Sequence, residues 1–409
     1  MVPRERLAVI FMPVLMAISL AVGSSSARGQ EARPEKRTEV QSEPLPAQEL
    51  QPAGTVEFNI AGPGVVESGV QCDANGNAYF NSSPDIQLAI EGIHTGNRPP
   101  LTKLSIDSHG TTVFEYPPLL DYTSHNHMGF YVSPRGDVYS LVQACPYKDG
   151  CRPPRFPVNL VVKYNHDGSV DSVIKIEPPS GAHLYAYKFA AFLDGNFLIT
   201  GIEDVEAEGK SGSRPFTGIF GRGGSYIGPV VLPNDVAPPE GMPKPMVVKS
   251  GKPYGTQGPG KATNHPRELK PGSLWAPEII GSLMAGSLDG NIYLLRAGSP
   301  ARLYAISSDG RVVGEHLVRP PKPDMWPMQV SPTNEGRLFV EFSQAPTGPR
   351  NPQIGSAFAL VDPQTGKIIE TYDAPSKAGI PACMDPEDEL LFLRSDKSGR
   401  LEIAKYVAQ

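Results

Sequence analysis

The sequence lacks a strong charge of either sign. Its 409 residues carry 37 Lys and Arg against 43 Asp and Glu, a net charge of −6. No basic stripe runs along it, which argues against a nucleic-acid partner. It has no G-x-S-x-G nucleophile elbow and no glycine-rich phosphate loop. The run carrying Asp362, Thr365, Gly366 and Lys367 reads as a hairpin turn, not a nucleotide motif. Cysteine is sparse: there are four, without a Cys-x-x-Cys pair, which favours disulfides over a zinc site. Beyond residues 7–22 there is no long apolar run, so no later segment reads as a membrane-spanning helix.

Residues 7–22 follow Arg4 and Arg6 and precede the small residues 23–27. This is the pattern of a secretory signal peptide, with cleavage expected between Ser25 and Gln30. A retained N-terminal anchor is the alternative, but Pro13 interrupts a run already short for a span. Residues 1–29 are read as the signal. Residues 30–53, rich in Glu, Pro, Gln and Arg, read as a disordered spacer. The mature chain is then expected to be secreted or periplasmic, without a transmembrane span. In that setting Cys145 and Cys151, flanking five residues, are expected to pair, contributing about 2 kcal/mol.

What is present is a repeat. Residues 281–318 hold a short apolar run, a turn at Leu288, Asp289, Gly290 and Asn291, and the strand-like Ile292, Tyr293, Leu294 and Leu295. A further strand, a second turn at Ser308, Asp309 and Gly310, and a last strand follow. Asp, Asn and Gly supply the turns, while β-branched and aromatic residues supply the strands. Four short strands joined by hairpins make one propeller blade. Related stretches begin near residues 71, 131, 191, 330 and 383, so there are six copies with the first. The last copy ends at 401–406 without its outer strand, and a spare strand lies at 55–60. Pairing those two closes the ring and removes its open edge. The fold class is thus all-β: a monomeric six-bladed β-propeller over 54–409. A long Pro/Gly-rich insertion at 234–277 is read as a lid or partner-binding arm, or as an insertion without a role. Cys72 and Cys383 fall just before the inner hairpins of the first and last blades. Those blades are neighbours in a closed ring, so a bond between them would staple the seam.

The inner half of each copy resembles the NHL repeat, with Asp73, Asn75, Gly76 and Asn77, and Leu288 to Asn291, as the nearest matches. The resemblance implies a six-bladed propeller and no single activity. A second resemblance is to gluconolactonase and regucalcin-like propellers, which bind a divalent metal at the axis through Glu, Asn and Asp. Glu67 resembles their first-blade Glu. Their Asn and Asp positions have no counterpart here.

In a propeller the segments entering the inner strands converge on one mouth of the channel. Here they are residues 63–69, 121–128, 180–188, 274–278, 324–329 and 376–381. They carry Glu67, Tyr122, His125, His127, His183, Tyr185, Trp275, Glu278 and Trp326, including both tryptophans of the chain. Aromatics with a few polar groups at a concave mouth suit a ligand. The expected function is binding of a protein partner, a small ligand or a glycan, without a cofactor. The alternative is a metal-dependent hydrolase or lyase, lactonase-like. His125 and His127 on one strand face, with His183 and Glu67, would then hold a divalent metal such as Ca or Zn. A purely structural role, with the tryptophans plugging the channel, is the third reading.

Overall fold

The computed structural model describes residues 45–66, 69–83, 88, 99–148, 151, 156–179, 182–207, 210–232, 282–296, 300–323, 325–344, 356–375 and 377–409. The expected signal peptide, residues 30–44 of the spacer and the 234–277 insertion lie outside the described residues.

The six repeats form six antiparallel sheets. After β1 (Leu50–Ala61), the first blade comprises β2 (Val65–Val66), β3 (Gln71–Cys72), β4 (Ala78–Ser83), β5 (Leu101–Ser105) and β6 (Gly110–Phe114). Its inner strand is thus split into β2 and β3, both paired to β4. The second blade runs through β7 (Ser124–Val132), β8 (Val138–Cys145), β9 (Val158–Tyr164) and β10 (Val170–Ile176). The third holds β11 (Ala182–Ala191), β12 (Phe197–Ala207), β13 (Lys210–Phe220) and β14 (Tyr226–Pro229). The fourth holds β15 (Leu283–Gly286), β16 (Ile292–Arg296), β17 (Ala301–Ile306) and β18 (Val312–Val318). The fifth holds β19 (Met325–Pro332), β20 (Leu338–Gln344), β21 (Ser356–Val361) and β22 (Ile368–Asp373). The sixth has β23 (Ile380–Met384), β24 (Leu390–Ser395) and β25 (Arg400–Ala408).

The sixth sheet is completed by β1, which pairs antiparallel with β25, Thr55 opposite Ala404 and Glu57 opposite Glu402. The closing strand starts at Leu50, five residues before the expected Thr55. The chain ahead of it is also held, because the Gln48 amide donates to the Thr371 carbonyl on β22. Residues 45–53 are therefore part of the ring wall and not spacer. The Cys72–Cys383 disulfide joins β3 to β23 across the same seam, and Cys145 pairs with Cys151.

Each inner hairpin repeats one hydrogen-bond pattern. The amides of Asp73, Ser133, Phe192, Ser287, Thr333 and Asp385 each donate to the carbonyl four residues on. The Asp of the turn motif explains why Tyr follows it in the next strand. Asp73 accepts from the Asn75 and Asn77 amides, the Asn77 side chain and the Tyr79 hydroxyl. Asp289 accepts in the same way from Asn291 and Tyr293. Both tyrosines are buried. Burial and the neighbouring carboxylate push both phenols well above their ordinary range, so they stay neutral donors.

Apolar cores fill the spaces between blades. One gathers Phe339, Phe358, Met384, Phe392 and Tyr406 between the fifth and sixth blades. Amide side chains stitch neighbouring blades as well. Gln71 bonds the Phe130 carbonyl and the Val132 amide, while Asn159 bonds the Leu184 carbonyl and the Ala186 amide. Between the third and fourth blades the buried Arg296 donates to Ser282, Thr200 and Thr217. These bonds tie the first blade to the second, the second to the third and the third to the fourth.

Candidate functional site at the ring mouth

The inner strands carry an irregularity at the mouth end. Register shifts occur at His127/Gly129 in β7, at Ala186/Lys188 in β11, at Pro327/Gln329 in β19 and at Pro381/Met384 in β23. A bulge re-aims the side chains that precede it. Ahead of the shifts in β11 and β19, Leu184, Ala186, Met325 and Pro327 are buried, while His183, Tyr185 and Trp326 are exposed or half-buried.

On β7, His125 and His127 lie on one face as their spacing predicts, with ring centroids 5.3 Å apart. His127 is buried and its ring packs 3.7 Å from that of Tyr116. The Tyr116 hydroxyl in turn accepts from Asn81 on β4 at 2.8 Å. His125 is half-buried above this pair. Tyr122 is half-buried too and packs onto the core of the second blade.

On β11, His183 is exposed and stacks on Phe156, with centroids 3.8 Å apart and planes within 16°. Tyr185 meets the same phenyl ring edge-on at 5.9 Å. Burial, Asp204 and Tyr187 push the Tyr185 phenol up to about 12, so it is a neutral hydrogen-bonding group at physiological pH.

The histidines thus divide into a pair on β7 and a stacked ring on β11. Among the described residues no three His, Cys, Asp or Glu side chains gather as a metal site. Of the expected set of His125, His127 and His183, the first two meet on β7, while His183 stacks on Phe156. Glu67, the fourth expected ligand, lies outside the described residues, as do Trp275 and Glu278.

On β19, Trp326 keeps 41% of its surface exposed. It faces Ser343 on β20, which faces Ser356 on β21. Next along this face, Gln329 lies opposite Glu341. The Ser356 hydroxyl donates to the Glu341 carboxyl at 3.2 Å, and the Gln329 side-chain amide donates to the Ala382 carbonyl of the sixth blade. Glu341 is buried, and desolvation pushes its carboxyl up to about 7. The sequence reading missed Glu341, Gln329 and Ser343. The available signal was Glu341 itself, a lone acid within Leu338, Phe339, Val340 and Phe342. A charged residue inside a buried strand needs a reason.

No protein-family model and no curated protein matches this sequence. Among solved structures, a gluconolactonase from Xanthomonas campestris is 11% identical, covering 86% of this chain and 89% of that one, with a TM-score of 0.43. A second structure described as a putative gluconolactonase is 10% identical over 88% of this chain and 93% of its own, with a TM-score of 0.42. A streptogramin B lyase structure is 12% identical over 88% and 97%, with a TM-score of 0.36. Likenesses this distant say nothing about activity. The propeller architecture rests on the six sheets themselves, and the NHL resemblance remains one of turn and strand.

Proposed function

We propose that this chain is an exported binding protein that takes a ligand at the ring mouth, either a small molecule or glycan or a segment of a protein partner. The exposed indole of Trp326 carries this reading. Among the described residues many large aromatics, such as Phe339, Phe358 and Tyr304, are fully buried, and only Tyr147, at 38%, is exposed to a similar degree. A bare indole beside serine, glutamine and a buried acid has the amphipathic character of a recognition surface. The stacked His183 and Phe156 add a second flat face. Export is supported by two disulfides, which persist in oxidising compartments.

The test is a binding screen of the protein against glycan and peptide arrays, run beside Trp326→Ala and His183→Ala. The reading expects a ligand class whose signal falls at least tenfold in Trp326→Ala while the melting temperature is unchanged. Signals equal in all three proteins would remove the mouth from consideration. The His125 and His127 pair keeps a metal-dependent hydrolase as the second reading. A zinc- or calcium-dependent rise in melting temperature, abolished by His127→Ala and by Glu67→Ala, would favour it.

A further inference from the structure

The face of the fifth blade turned toward the sixth carries a second pattern beneath Trp326. Directly opposite residues share a sheet face, as do residues i and i+2. Trp326, Gln329, Glu341, Ser343 and Ser356 therefore lie on one face. The Ser356–Glu341 bond and the Gln329–Ala382 bond agree with that assignment. Lower on the same face, Phe339 and Phe358 belong to the core shared with the sixth blade. Glu341 thus stands between an aromatic floor and an exposed indole, about 7 Å along the strand from Ser343.

Among the described residues Glu341 has no counter-charge. The flanking strands β19 and β21 carry no Asp, Glu, Lys, Arg or His, and β24, packed on β21 through Phe392 and Phe358, brings Arg394, which is bonded to Glu402. Its hydrogen bond comes from the neutral Ser356. A carboxylate buried in this way is costly unless it is neutral or paired. Its raised proton affinity, caused by desolvation, is the expected consequence. Ser343 and Gln329 share its face and offer further acceptor oxygens, the Gln329 amide nitrogen being committed to Ala382. A carboxyl and two further acceptor residues on the same sheet face as an exposed indole suit a group with one positive charge and several N–H donors.

We propose that this face of the fifth blade binds a primary ammonium group, from a small amine or from a lysine side chain, with Glu341 as its counter-ion and Trp326 over its alkyl stem. The inference rests on the binding reading of the mouth and names the chemistry that the mouth takes. Binding would draw the proton off Glu341, since a cation beside a carboxylate favours its charged form.

The experiment uses the full chain carrying Trp275→Phe, so that Trp326 is its only indole. Its emission is titrated at pH 6.5 with n-butylammonium, with Nα-acetyl-lysine methylamide, with 1-butanol as the neutral analogue, and with KCl. Proton release is followed in weak buffer. The expected result is a saturable change with one or both amines, absent with butanol and KCl. It is accompanied by proton release and weakened at least tenfold by Glu341→Gln. Preference between the two amines separates a free amine from a lysine side chain. The proposal is overturned if neither amine gives a saturable change, or if Glu341→Gln binds as tightly as its parent. If the amines fail while an array ligand still acts through Trp326, the ammonium assignment falls and the mouth reading stands.

Discussion

Asp388 is where the repeat departs from its own rule. In the first five blades the fourth turn residue is Gly76, Gly136, Gly195, Gly290 or Gly336, all with φ between 76° and 89°. The sixth blade has Asp388 there, at φ 61°. An L-residue in this region costs about 1 kcal/mol, and burial and the carboxylate of Glu335 hold its acid above the ordinary range. Asp388→Gly should therefore stabilise the protein by about 1 kcal/mol, seen as a higher urea midpoint at unchanged slope. Gly76→Ala should do the reverse, since a Cβ there would sit 2.9 Å from the Asp385 Cβ across the seam. Glu341 makes a prediction of opposite form. Its folded value is about 7 against an ordinary 4.5, so the folded state holds a proton that the unfolded state releases. Its contribution is fully present below about pH 4.5 and is lost as the pH rises through 7, the loss amounting to about 3 kcal/mol above that. Glu341→Gln should remove this slope. The stability difference between variant and parent, measured by denaturation at pH 5, 6, 7 and 8, should grow in the variant's favour. A constant difference would mean that Glu341 is paired.

At the scale of elements, the seam is the part on which the ring depends. It is closed by β1 on β25 and by the disulfide between β3 and β23. The cross-linked residues are separated by 311 positions, so reducing the denatured-state entropy is worth up to about 5 kcal/mol. Cys72→Ala with Cys383→Ala should lower the denaturation midpoint far more than Cys145→Ala with Cys151→Ala, whose separation is 6. Removing residues 45–61 leaves β25 as an open edge, and size-exclusion chromatography should then show association. The strands, their turns, the closing pair and both disulfides were legible because each depends on local chemistry or on position within a unit repeated six times. The start of β1 was not. Gln51 and Pro52 read as spacer composition, and only their pairing with Val407 and Tyr406 makes that stretch a strand.

At the scale of the whole molecule, the ring brings together side chains that are distant in sequence. The sequence names the segments expected at the mouth from their position in the repeat. It does not predict which side chains meet, because the bulges re-aim them and because partners such as Phe156, Tyr116 and Glu341 lie on other strands or loops. His125 and His127 meet, as their spacing on one strand requires; His183 finds Phe156, which no periodicity could announce. On the binding reading the mouth presents an open aromatic face instead of a plugged channel. Acrylamide quenching of Trp326 emission in the Trp275→Phe protein tests it most directly. An open mouth predicts red-shifted emission that is readily quenched in the folded state. Blue-shifted emission that resists quenching until the protein unfolds would mean that the indole plugs the ring, and would contradict the binding reading.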